Sequence, residues 1–104
     1  MNDRVVSVNG VTIRLASERW MHIVEHHDDL AGHYHDVLET VRDHDAVYDG
    51  DGGELLALSS RHAPGCLVVA YRETSRTDGF VITAFFTTRL RQIERRRLAW
   101  KKPS

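Results

Sequence analysis

Apolar positions first fall in short alternating runs and then recur at helical spacing. Val5, Val6 and Val8 precede Asn9-Gly10, and Val11, Ile13 and Leu15 follow it, which predicts two strands joined by an Asn-Gly turn. Ser17-Glu18 suits a helix start, and Trp20, Ile23, Val24 and Leu30 continue with a period near 3.6, predicting a helix over about residues 17 to 28. After a break near Asp28 to Gly32, Tyr34, Val37, Leu38 and Val41 place a second helix over His33 to Asp43. Val47-Tyr48 and Leu55 to Leu58 flank the turn-forming run Asp49-Gly50-Asp51-Gly52-Gly53, which reads as a second hairpin. Leu67 to Arg72 and Phe80 to Phe86 are almost continuously apolar, the mark of central strands covered on both faces. Leu90, Ile93, Arg97 and Trp100 then return to helical spacing, predicting a short basic C-terminal helix that Pro103 ends. The sum is an α+β fold: two N-terminal helices packed on an antiparallel sheet of about four strands, with an N-terminal hairpin and a short basic C-terminal helix. The two helices are expected to bury Trp20, Ile23, Val37 and Leu38.

Length and composition fit that picture without enlarging it. At 104 residues, 41% hydrophobic and 28% charged, the chain reads as one domain, 1–104, built around one core. It has no apolar run long enough to span a bilayer and no secretory signal in MNDRVVSVNG, so no membrane role and a cytoplasmic location are expected. The single cysteine, Cys66, lies on an apolar run and reads as a small core residue rather than a nucleophile.

Charge changes the picture more. The formal net of −1 conceals a split: residues 1–60 hold 4 basic and 12 acidic residues, a net of −8, and residues 61–104 hold 10 basic and 3 acidic, a net of +7. Arg89, Arg91, Arg95, Arg96, Arg97, Lys101 and Lys102 concentrate the positive charge at the C-terminus. Such a density suits phosphate contacts with RNA, or a solvated or internally paired helix. Arg89, Arg91, Arg61 and Arg72 are the candidate phosphate-binding residues. The loop Asp49 to Gly53 lacks the spacing of a calcium-binding loop and reads as a turn.

Histidine is the main chemical signal. The chain has seven, of which His22, His26, His27, His33 and His35 fall within fourteen positions. On a helix His22 and His26 share a face at i and i+4, and His27 projects from the apolar side seven residues after Trp20. His22-Ile23-Val24-Glu25-His26 has the H-x-x-E-H form in which two imidazoles hold zinc and a glutamate activates water, or it is simply a solvated face. His27 reads as a general acid or base held rigidly where helix meets sheet, or as a histidine at the edge of the core. Thr83, the one hydroxyl in Val81 to Phe85, suits a cleft or a plain strand position, and Tyr71 has the same ambiguity.

The order of these motifs resembles a known group. Arg19-Trp20-Met21-His22-Ile23 with Glu25-His26-His27-Asp28-Asp29 is similar to the W-x-H-I-x-x-R-H-P-E opening of small phage and bacterial domains of the barnase, EndoU, colicin and RelE-like (BECR) nuclease group. Val41 to Val47 is similar to its V-x-x-P-D-x-V segment, and Gly79 to Phe85 to its G-x-V-I-T-A-Y/F strand. The match covers about residues 13 to 90, and His22, His27 and Thr83 coincide with the pattern, with Tyr71 a looser match. The pattern's Arg is His26 here, and its Pro-Glu is Asp28-Asp29.

The resemblance implies a metal-independent endoribonuclease-like domain, of toxin or RNA-processing type, in which a ribose 2′-hydroxyl attacks the adjacent phosphate. His27 would act as base, His22 or His26 as acid or phosphate contact, Thr83 and Tyr71 as phosphate partners, and Arg89 or Arg91 as the stabilising cation. No cofactor or metal is expected; RNA is the expected partner, with a cognate antitoxin or immunity protein as a further one. The alternatives are a non-catalytic RNA- or protein-binding module on the same fold, and a metal-dependent hydrolase built on His22, Glu25 and His26.

Overall fold

A computed structural model describes residues 3–62 and 65–103. The first apolar runs form β1 (Asp3–Val6) and β2 (Thr12–Leu15), paired antiparallel. Their connection is wider than a two-residue turn. The Ser7 and Gly10 amides donate to Val11 O and Ser7 O, and Gly10 takes φ +78°, a left-handed geometry that glycine supplies without steric cost. Helix α1 (Ser17–His26) begins after Ala16, which holds the N-cap position without a side-chain hydrogen bond, and is followed by a single 3₁₀ turn, Asp28–Leu30, and by α2 (Tyr34–Arg42). Then come β3 (Ala46–Asp49), β4 (Leu55–Ser59), β5 (Cys66–Glu73), β6 (Gly79–Thr87), a short α3 (Leu90–Glu94) and β7 (Leu98–Lys101).

The strands form one seven-stranded sheet in the order β1-β2-β6-β5-β4-β3-β7, which corrects the expected antiparallel sheet of about four strands. Two features account for the difference. The N-terminal hairpin joins the main sheet through a parallel pairing of β2 with β6, Ile13 opposite Gly79 and Arg14 opposite Phe80, so the sheet is mixed. A Cβ at Gly79 would lie 2.3 Å from Arg72 O and 3.1 Å from Glu73 Cα on β5, and 2.7 Å from Ile13 Cδ1 on β2; the missing side chain is what lets the β5 backbone come this close, with the Ile13 side chain laid against the same spot. At the other end the expected C-terminal helix stops at Glu94. Leu98–Lys101 instead pairs antiparallel with β3, where Arg97 Nη1 donates to Asp49 at 2.9 Å and Trp100 stacks edge-on against His44 at 4.8 Å. Helical periodicity at Leu90, Ile93, Arg97 and Trp100 is real for its first half alone; the strand ladder of β3 captures the second half.

α1 and α2 pack with one face of the sheet. Ile23, Tyr34, Val37, Leu38 and Val41 meet Ile13, Leu15, Val47, Ala57, Leu67, Val69, Tyr71, Val81 and Ala84 in the main core. Trp20 is only partly buried and meets Tyr34 edge-to-face at 5.3 Å. On the opposite face Leu56, Leu58, Cys66, Val68 and Ala70 gather around Ile93 of α3. β5 is therefore covered on both faces and buried from Cys66 to Tyr71, which explains its continuous apolar sequence. Among the described residues, no helix is long and apolar enough to cross a membrane.

A candidate groove at the open edge of β6

β6 has a partner along only part of its outer edge. β2 pairs with Gly79 and Phe80 and then turns away into α1, so the edge beyond Val81 faces α1 and the 3₁₀ turn rather than another strand. A β-bulge sits at this position: Thr83 is opposite Ala70 while Val81 is opposite Tyr71, which leaves Ile82 as the extra residue. Val81 and Ala84, three positions apart, both enter the main core. Regular alternation is thereby broken, and Ile82 and Thr83 are both turned out of that core. A bulge commonly re-aims a side chain beside a site in this way.

The groove that results is lined by Arg19, His22, Ile23, His26, His27, Ile82 and Thr83, with a volume of about 280 Å³. It shares Arg19 and His22 with an adjoining depression of about 440 Å³ that reaches Arg14, Glu18 and Phe80. His22 and His27 would diverge on an unbroken helix. α1, however, ends at His26, and His27 leaves it at φ −137°, ψ 74° with its amide still donating to Ile23 O at 2.8 Å. All three histidines and Thr83 consequently border one space.

The rings are individually placed. His26 Nδ1 lies 2.9 Å from His22 O, and a carbonyl only accepts, so Nδ1 carries the proton and Nε2 is left as the exchanging nitrogen. The His22 and His26 rings stand 4.5 Å apart between centroids, and His27 meets Phe85 at 6.2 Å. Arg19 Nη1 donates to Ile82 O at 3.5 Å, which holds a cation across the groove. Arg14 is committed, through two bonds of 2.9 Å, to Asp78. That pairing holds the Asp78 carboxyl below the usual carboxylate range.

Other candidates from the sequence lie elsewhere. Tyr71 is fully buried in the main core and does not line the groove, and burial, followed by the nearby Glu73 carboxylate, pushes its phenol up. Arg61 donates to Asp43 Oδ2 at 2.6 Å, and Arg72 to Gly52 O at 2.9 Å on the hairpin loop. Arg89 and Arg91 line a different depression with Thr88, Leu90, Gln92 and Glu94. Glu25 does not line the groove, and His22, Glu25 and His26 do not converge as a three-ligand metal set. Arg19 is the groove residue that residue-by-residue reading passed over. Its signal was the spacing Arg19, His22, His26, which puts a cation on the histidine face.

No family model, curated protein or solved structure matches the chain.

Proposed function

We propose that the chain is a metal-independent ribonuclease-type domain that cleaves an RNA phosphodiester in the β6-edge groove. The observation that carries this reading is the meeting of His26, His27, Arg19 and Thr83 in one open groove, made possible by the end of α1 at His26. In the cleavage step His27 takes the proton of the ribose 2′-hydroxyl, and the 2′-oxygen forms a bond to phosphorus. The bond from phosphorus to the 5′-oxygen breaks, and that oxygen receives a proton from His26 Nε2. The products are a 2′,3′-cyclic phosphate and a free 5′-hydroxyl, with a proton gained by His27 and one lost by His26. Arg19 and the Thr83 hydroxyl donate to the non-bridging phosphate oxygens, where charge develops, and His22 borders the phosphate on its other side. Arg89 and Arg91 are left for the rest of the strand, outside the reacting phosphate. A toxin or RNA-processing role in the cytoplasm, with an antitoxin or immunity protein covering the groove, is the setting that suits such an activity.

Purified chain is incubated with single-stranded RNA with and without a chelator, at a temperature well below its melting point. Cleavage that persists with chelator, yields cyclic phosphate ends, fails on a strand carrying deoxyribose at the cut position, and falls roughly 10²- to 10⁴-fold in His27→Ala is expected. Undiminished cleavage in His27→Ala overturns the assignment. The second reading, a binding module without chemistry, is favoured by His26 standing where the resembled pattern has Arg, and RNA binding without cleavage would select it.

A further inference from the structure

Two histidines and a carboxylate that the cleavage chemistry does not use meet near the far end of β6. His33 holds the N-cap position of α2, Asp36 lies in that helix's first turn, and His62 belongs to the segment between β4 and β5. One ligand atom from each lies within 4.8 Å of the other two. His33 Nδ1 is already 2.8 Å from Asp36 Oδ2. Phe86 holds both rings edge-on, its centroid 5.1 Å from His33 and 5.8 Å from His62, and the two imidazoles are themselves 5.9 Å apart.

We propose that His33, Asp36 and His62 bind a divalent transition-metal cation of the zinc class, fastening the segment after β4 to the start of α2. The donor set decides the class. Two imidazole nitrogens and one carboxylate oxygen suit zinc and its neighbours, whereas calcium and magnesium require shells of oxygen. Ligand atoms on a tetrahedral zinc stand about 3.3 Å apart, as bond lengths near 2.0–2.1 Å require. Rotation of the half-buried His33, Asp36 and His62 side chains closes the remaining gap without moving a strand. Three protein ligands leave a fourth position for water. The site is separate from the groove: none of its residues lines the space around His27 and Thr83. It also differs from the His22 and His26 pair, which offers two rings without a converging carboxylate.

The test titrates zinc chloride into the full chain, stripped beforehand with chelator, and follows heat and melting temperature. One equivalent binds, and at a hundredfold excess over Kd the melting temperature rises by on the order of 10 °C. In His62→Ala the affinity falls at least about 100-fold, more than an outer-sphere partner costs, and Asp36→Asn weakens it as well. The metal-free variant is melted beside the metal-free parent, so that any loss of stability from the His62 contacts with Phe86 and His33 is read apart from the loss of affinity. The His22→Ala/His26→Ala double variant keeps the one-equivalent site. Absence of binding, binding that survives His62→Ala, or binding lost only in the His22/His26 double variant overturns the proposal. Because cleavage is read with chelator present and zinc binding by heat and melting, either proposal can fail while the other stands.

Discussion

Replacing Tyr71 by Phe separates a core tyrosine from a catalytic one. The Tyr71 side chain is 0% exposed, and its hydroxyl, shut off from solvent, has no hydrogen-bond partner among the described residues. A buried hydroxyl without a partner costs about 1–3 kcal/mol in lost hydration, while the ring contacts with the helices are identical in Phe. Tyr71→Phe should therefore stabilise the fold by about 1–3 kcal/mol. For a domain of this size each kcal/mol moves the melting temperature by roughly 4–8 °C, so calorimetry should show a rise of at least about 4 °C. RNA cleavage should be unchanged at a temperature where both proteins are folded. A fall in melting temperature would show that the hydroxyl has a partner, and the energetic reasoning would fail. A loss of cleavage with the melting temperature raised would place Tyr71 at the reaction and refute its assignment to the core.

Gly79→Ala introduces a Cβ 2.3 Å from Arg72 O and 2.7 Å from Ile13 Cδ1. The pairing of β5 with β6 at Arg72 must shift, and urea unfolding should show a loss of about 1–3 kcal/mol, as for overpacking elsewhere; an unchanged midpoint would mean β5 and β6 are not pinned there. Arg19→Ala should lower kcat/KM for RNA roughly 100-fold or more, chiefly in kcat, as for loss of a donor to a developing oxyanion. Arg91→Ala should act mainly on KM, and equal effects of the two on kcat would contradict the placement of the phosphate. The carboxyls of Asp43, Asp51 and Asp78 are held down by hydrogen bonds from Arg61, Arg96 and Arg14, and that of Asp45 by hydrogen bonds from Ser60. A folded-state value below the unfolded one gives stability that is complete above about pH 4 and is lost as pH falls through the folded values. Melting temperature followed from pH 6 to pH 2 should fall below about pH 4, and Asp45→Asn should make that fall shallower.

Both hairpins and the two central helices were legible because each depends on short-range chemistry: Asn9-Gly10, the Asp49 to Gly53 loop, and the apolar stripe Tyr34, Val37, Leu38, Val41. The parallel contact between β2 and β6 was not legible. It joins residues far apart in the chain, and its local sign is one glycine among seven. β7 was hidden for a different reason: Arg97 and Trp100 continue the helical period of Leu90 and Ile93 by chance, and only the pairing offered by β3 decides otherwise. The histidines were visible by number, but their arrangement depends on where α1 ends. One residue more of helix would carry His27 away from Thr83.

The charge split changes meaning once the ion pairs are known. Much of the positive half is spent on the negative half: Arg96 on Asp51 at 2.7 Å, Arg97 on Asp49 at 2.9 Å, Arg61 on Asp43 at 2.6 Å, with Lys102 3.8 Å from the same Asp43 and Arg72 3.8 Å from Glu54. Most of these side chains remain solvent-exposed, so the pairs add little stability; Arg96 and Arg97 join the approach to β7 to the hairpin loop and to the end of β3. The pairs also withdraw those cations from any phosphate. Among the described residues, Arg89, Arg91 and Arg95 have no ion-pair partner, and they stand around α3. Arg19, from the acidic half, is the cation in the groove. A charge count points to an anionic partner at the C-terminus, whereas the proposed cleavage would put the reacting phosphate beside α1, where Arg19 lines the groove, and leave the basic end a supporting part. The position of one arginine relative to the histidines therefore weighs more in the functional reading than the ten basic residues that first drew attention.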